Sequence, residues 1–127
     1  MIKINSKEYA YDERAVINLP EGLIGFPEMR RAALIPLEEF APFCWLASLD
    51  DEKNRFIVVN PREIYSDYAA SENSDLNARA IGKISSDWEK TTVNLRAPIF
   101  FDRKTKHAAQ VVLSESNYQL AESLPRD

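Results

Sequence analysis

The sequence predicts an all-β, mostly antiparallel fold: a small β-barrel-like single domain over residues 1–127, with at most one or two short helical segments. Two observations carry this. Short apolar segments recur roughly every ten to fifteen residues, and clusters of turn formers separate them, the pattern of strands folded back on one another. No stretch sustains the three-to-four-residue apolar spacing of an amphipathic helix.

Taken in order, Ile2 and Ile4 alternate with Lys3 and Asn5, a first strand. Val16–Leu19, Leu34–Leu37, Phe43–Leu46 and Phe56–Val59 are short apolar runs, each long enough for one strand. Thr91, Val93 and Leu95 alternate with Thr92, Asn94 and Arg96, and Val111 and Leu113 close the series. Pro20-Glu21-Gly22, Gly25-Phe26-Pro27 and Asp50-Asp51 punctuate the runs as turns. Gly22 and Gly25 bracket a tight apolar turn that calls for positive φ, which glycine adopts without strain. Pro61 ends the Phe56–Val59 strand, and Pro98 interrupts the one begun at Thr91. Asp102 to His107 is polar between apolar runs and reads as an exposed hairpin tip. The one helix candidate is Ser74 to Ala80, with Ser74 as N-cap.

Composition narrows function more by what is rare than by what is common. A chain of 127 residues, 45% hydrophobic and 28% charged with mean hydropathy −0.37, is a soluble globular sequence. At this length it buries about 65% of its unfolded surface and needs no disulfide or metal to fold. Sixteen Lys and Arg against twenty Asp and Glu give −4, which argues against a general nucleic-acid-binding surface. Three glycines form neither a dinucleotide-binding fingerprint nor a phosphate-binding loop. One cysteine excludes an intrachain disulfide and a CxxC zinc site, and one histidine excludes a two-His metal site. The first eight residues lack the apolar core of a signal peptide, and no apolar run approaches a membrane span. The expectation is a cytoplasmic protein with a reduced thiol, no membrane association and no cofactor.

The remaining chemistry-bearing residues have plain structural readings. His107, between Lys106 and a short apolar run, reads as a surface histidine, because a general base is held by packing and an orienting partner. Cys44, flanked by Phe43 and Trp45, reads as a buried, inert thiol. Asp50-Asp51-Glu52 is consecutive, unlike the alternating carboxylates of a calcium loop, and reads as a solvated turn or an acidic partner-facing patch. The patch gains weight from its surroundings. Nine acids and three bases lie between Glu38 and Asp75, so this middle third carries −6 and the rest of the chain +2. Such a region attracts a basic partner and repels RNA. Trp45 reads as core. Trp88, in the polar stretch Ser85 to Lys90, either folds back over the barrel or is presented to a partner.

Three stretches together resemble the flagellar assembly factor family, FliW. They are Leu19-Pro20-Glu21-Gly22-Leu23-Ile24-Gly25-Phe26-Pro27-Glu28; then Pro42 to Asp51 followed by Phe56-Ile57-Val58-Val59-Asn60-Pro61; then Thr92-Val93-Asn94-Leu95-Arg96-Ala97-Pro98-Ile99, trailed by Gln110 to Leu113 and Tyr118. Their order and spacing span nearly the whole chain. Members usually run longer between the Tyr65–Tyr68 region and the strand before Thr-Val-Asn-Leu. Here Ala80 to Ser85 stands for that strand, with Gly82 and Lys83 where branched apolar residues are usual, which predicts an edge or poorly formed strand.

The resemblance implies a non-enzymatic, chaperone-like adaptor. FliW-like proteins bind flagellin and, in many bacteria, the RNA-binding repressor CsrA, at a site away from its RNA-binding surface. They thereby couple flagellin synthesis to secretion. Partner-binding candidates are the acids Asp50, Asp51, Glu52, Glu63 and Asp67, and the motif surface around Asn60, Pro61 and Asn94. Two other classes stay open at this point. A small single-stranded nucleic-acid-binding β-barrel would need a basic groove, and a small enzyme would need a carboxylate pair such as Asp51 with Glu63 converging in a pocket.

Overall fold

The structure, a computed structural model, describes residues 2–4, 7–51, 53–65, 76–102, 104–113 and 118–124. It is a curled, mostly antiparallel sheet with a separate two-stranded hairpin, and among the described residues the helical elements are isolated single 3-10 turns. The strands are β1 (Ile2–Ile4), β2 (Lys7–Tyr9), β3 (Ile17–Asn18), β4 (Arg31–Pro36), β5 (Cys44–Ser48), β6 (Arg55–Val59), β7 (Leu76–Lys83), β8 (Thr92–Val93), β9 (Ile99–Asp102), β10 (Ala108–Gln110) and β11 (Glu122–Ser123).

The main path runs β10-β9-β7-β6-β5-β4-β3, with β8 also on β7 and β11 on β8. The two ends of that path meet. Asn18 and His107 form a parallel bridge, and the Asn18 amide donates to the Lys106 carbonyl at 2.8 Å. Lys106 takes φ 64° to make the corner. The loop after β3 adds a second tie, where the Ile24 amide donates to Gln110 Oε1 at 2.9 Å. The curl therefore satisfies part of both edges that a flat sheet would expose.

Strands β4 and β5 do not alternate cleanly, and packing explains why. Ala33, Ile35 and Ala47 face Ile2 and Ile4 of the β1–β2 hairpin, while Ala32 and Leu46 face the barrel interior with Leu19, Met29 and Val58. Apolar residues on both faces of a strand are what a covered sheet requires.

The glycine turn takes the form its spacing predicts. Gly22 and Gly25 adopt φ 68° and 83°. Their constraints differ. A Cβ on Gly22 would stand 2.6 Å from the Phe26 carbonyl oxygen, whereas one on Gly25 would meet nothing within 4 Å.

Three sequence expectations are corrected. Residues 76–80 belong to β7 and not to a helix; Ser74 and Asp75 lie outside the described residues. Buried Ala78 and Ala80 alternate there with partly exposed Arg79 and Ile81, and pairing to β9 over 76–79 and to β6 from Ala80, with β8 joining at Gly82, outweighs the weak local helix preference. That pairing also makes β7 central and not an edge. Gly82 sits in it because the Phe43 ring crosses the strand at that point: a Cβ would lie 3.1 Å from Phe43 Cε1. The last two runs pair over shorter or displaced stretches. β8 is only Thr92–Val93, and β10 precedes Val111, although the Val111 and Leu113 amides still donate to Pro98 and Arg96 carbonyls at 3.0 and 2.7 Å.

Candidate partner-binding surface

The acidic candidates divide between the two ends of β6. Asp50 and Asp51 stand in the β5–β6 turn, whereas Glu63 lies in the 3-10 turn Pro61–Glu63 after β6. Five residues of extended chain, about 16 Å, separate the two groups, so Asp51 and Glu63 do not converge. Glu52 and Asp67 fall outside the described residues.

Each end is locally organised. Ser48, buried at the end of β5, accepts from the Asp50 and Asp51 amides through Oγ at 3.0 and 3.1 Å. Asp50 Oδ1 accepts from Arg31 Nη2 at 3.0 Å, and Asp51 Oδ1 accepts from the Lys53 amide at 3.0 Å. These carboxylates are exposed, and each has one oxygen, Oδ1, already engaged.

The motif asparagines shape backbone. Asn60 Oδ1 accepts from the Arg62 amide at 3.1 Å and caps the 3-10 turn, with Pro61 fully buried behind it. Asn94 Oδ1 accepts from the Arg96 and Ala97 amides at 3.0 and 3.1 Å and turns the chain out of β8 toward β9. Tyr65, just beyond, donates its hydroxyl to the Ser123 carbonyl at 2.7 Å. Burial first, and then the Glu122 charge, push that phenol up to about 12.

His107 is exposed and contributes backbone to the barrel seam. Cys44 is half-buried rather than fully buried, and loss of solvation raises its thiol pKa. Trp45 is likewise half-buried, with the Arg55 guanidinium 5.4 Å above its ring. Trp45 departs from the fully buried reading because it lies on the outward face of β5, packed against the β1–β2 hairpin, whereas Cys44 packs on the opposite face against the interior cluster.

Concavity lies elsewhere. A cavity of about 500 Å³ opens between the β1–β2 hairpin and the 3-10 turn Glu38–Phe40, and its walls include Lys7, Tyr9, Leu37, Glu38, Glu39 and Trp45. Phe40 lines it too, and stacks on Trp88 with centroids 6.0 Å apart and planes at 14°. Phe43 supports Trp88 from beneath, edge-on at 5.9 Å. Trp88 therefore folds back on the barrel and stays exposed: it is 44% accessible and Phe40 38%. Sequence reading singled out Trp88 but missed Phe40. The one signal was that Phe40, like Trp88, is an aromatic among acids, following Glu38 and Glu39.

A family model described as FliW protein matches residues 3–124. A flagellar assembly factor FliW from Geobacter sulfurreducens is 35% identical over 123 residues, covering 87% of this chain and 77% of that protein. Another from Clostridium beijerinckii is 32% identical over 129 residues and covers 92% of each. One from Thermotoga maritima is 32% identical over 137 residues, covering 94% of this chain and 89% of its own. A crystal structure of a flagellar assembly factor FliW superposes with TM-score 0.86 over 100% of this chain and 97% of that one; at 22% identity the likeness speaks to fold alone. A family match over nearly the whole length, a shared fold and relatives above 30% identity agree: the chain belongs to the FliW family.

Proposed function

We propose that this chain is a flagellar assembly factor acting by protein–protein binding, which holds flagellin and antagonises a CsrA-type translational repressor. The observation that carries the reading is the family match over residues 3–124, with relatives of that name aligned over 77% to 92% of their own length. The placement of the two nucleophile or base candidates fits. His107 serves the barrel seam through its backbone, and Cys44 is held toward its neutral thiol by burial. The acidic middle of the sequence supports a basic partner such as an RNA-binding repressor.

Binding of the purified chain to flagellin and to the repressor of the same cell, each measured alone and then in competition, tests this. Saturable binding to both, with flagellin displacing the repressor, is expected. His107→Gln and Cys44→Ala should bind as the parent does. Failure to bind either protein overturns the reading, and salt-dependent binding to single-stranded RNA in its place would favour a nucleic-acid role.

A further inference from the structure

We propose that the groove between the β1–β2 hairpin and Glu38–Phe40, continued by the Phe40–Trp88 stack, docks a partner's peptide segment in which apolar side chains alternate with Lys or Arg. The inference rests on reading the chain as a partner-binding protein, and not on which partner it binds.

The apolar half of the occupant follows from the walls. Ile4, Leu34, Leu37, Tyr9 and Trp45 line about 500 Å³, a volume in the range of clefts that enclose a few side chains. Phe40 and Trp88 extend that surface outward as two large rings left accessible, and aromatic side chains of this kind are enriched at interface centres. Phe43, seated over Gly82, supports the Trp88 ring edge-on, so its exposure is built into the fold.

The basic half follows from the charges. Glu38 and Glu39 immediately precede Phe40, and Glu89 follows Trp88; all three are exposed, and none pairs with a described residue. Asp87 caps its own turn by accepting from the Glu89 amide at 3.2 Å. Two of the chain's cations at this surface already lie over rings, Lys7 above Tyr9 and Arg55 above Trp45, both at 5.4 Å. That leaves the carboxylates beside the Phe40–Trp88 stack for an incoming cation, which gains from the rings and the charges together.

Both tryptophans of the chain border this surface, so intrinsic fluorescence reports its occupancy. The probes are two synthetic peptide libraries of equal length, one of Lys, Arg, Leu and Val, the other with Asp and Glu replacing the bases. The basic library should shift tryptophan emission saturably and bind about tenfold tighter than the acidic one. Glu38→Gln/Glu39→Gln/Glu89→Gln should remove most of that preference at low salt, and Phe40→Ala should weaken binding in a protein whose circular dichroism is unchanged. Equal binding of the two libraries, an emission that neither moves, or a charge variant that binds as the parent does would each overturn the proposal. A parent dimer that Trp88→Ala converts to monomer would make the occupant a second copy, and would overturn it too. Neither flagellin nor the repressor enters these measurements. Peptide binding with both natural partners failing would sink the proposed function alone; the reverse would sink this site alone.

Discussion

Two acid-bearing regions of this molecule look alike in the sequence and differ in the fold. In the β5–β6 turn, Asp50 reaches Arg31, Asp51 accepts from the Lys53 amide, and Ser48 holds both backbone amides from below. At the Phe40–Trp88 stack, the carboxylates of Glu38, Glu39 and Glu89 engage no described residue and flank exposed rings. The first set stabilises a turn; the second is available. Density of acids along the chain does not separate the two cases, because it ignores where each carboxylate finds its hydrogen bonds.

The strongest way to break the comparison is to remove the support under the aromatic stack. Gly82 leaves room for Phe43, and Phe43 carries Trp88. A valine at Gly82 adds two branches beyond a Cβ that would already stand 3.1 Å from the Phe43 ring and 3.4 Å from the Thr92 carbonyl oxygen. Overpacking of this kind costs about 1–3 kcal/mol. Gly82→Val should therefore lower the thermal midpoint by several degrees and change Trp88 emission, measured in a Trp45→Phe background. An unchanged spectrum would mean that the stack does not depend on Phe43.

A smaller effect is expected at the other region. Ser48 is 4% exposed and satisfies two turn amides through one oxygen. Ser48→Ala removes that acceptor, at a cost of about 0.5–2 kcal/mol by analogy with capping residues. The loss should appear in denaturant unfolding with the slope unchanged, and with little effect on the Phe40–Trp88 surface. Coupling between the two sites in a Ser48→Ala/Gly82→Val double variant would show that the regions are not independent.

The strands were legible because their signal is local: short apolar runs between turn formers, with Gly22 and Gly25 at the corner that needs positive φ. What escaped the sequence is tertiary. Gly82 suggested an edge, yet it marks the crossing of a ring over a central strand. The helix expected over 74–80 rested on a cap signal, and residues 76–80 are claimed by pairing to β9 and, from Ala80, to β6. Closure of the barrel through Asn18 and His107 joins positions 89 residues apart that carry no mark of pairing. The candidate surface was half legible. Trp88 stood out as an aromatic in a polar stretch, but its partner Phe40 comes from a distant turn, and only the fold brings the two rings together.

The smallest effect sharpens the comparison from the acidic turn itself. Asp50→Asn/Asp51→Asn keeps a side-chain acceptor for the Lys53 amide and removes two charges. The Arg31–Asp50 pair it weakens is exposed on both sides, and such pairs contribute about 0–1 kcal/mol, so folding stability should hardly move. Charges at the rim of an interface act chiefly on encounter. Association with a basic partner should therefore slow a few-fold at low salt. The difference should fade near 0.5 M, where the Debye length is about 4 Å, while dissociation stays as in the parent. The Glu38→Gln/Glu39→Gln/Glu89→Gln variant should differ in kind, with faster dissociation as well, because its carboxylates stand beside the rings that hold the ligand. Stopped-flow kinetics on the two variants separate these outcomes. Matching changes in both rates for both variants would mean that the two acidic regions act as one surface.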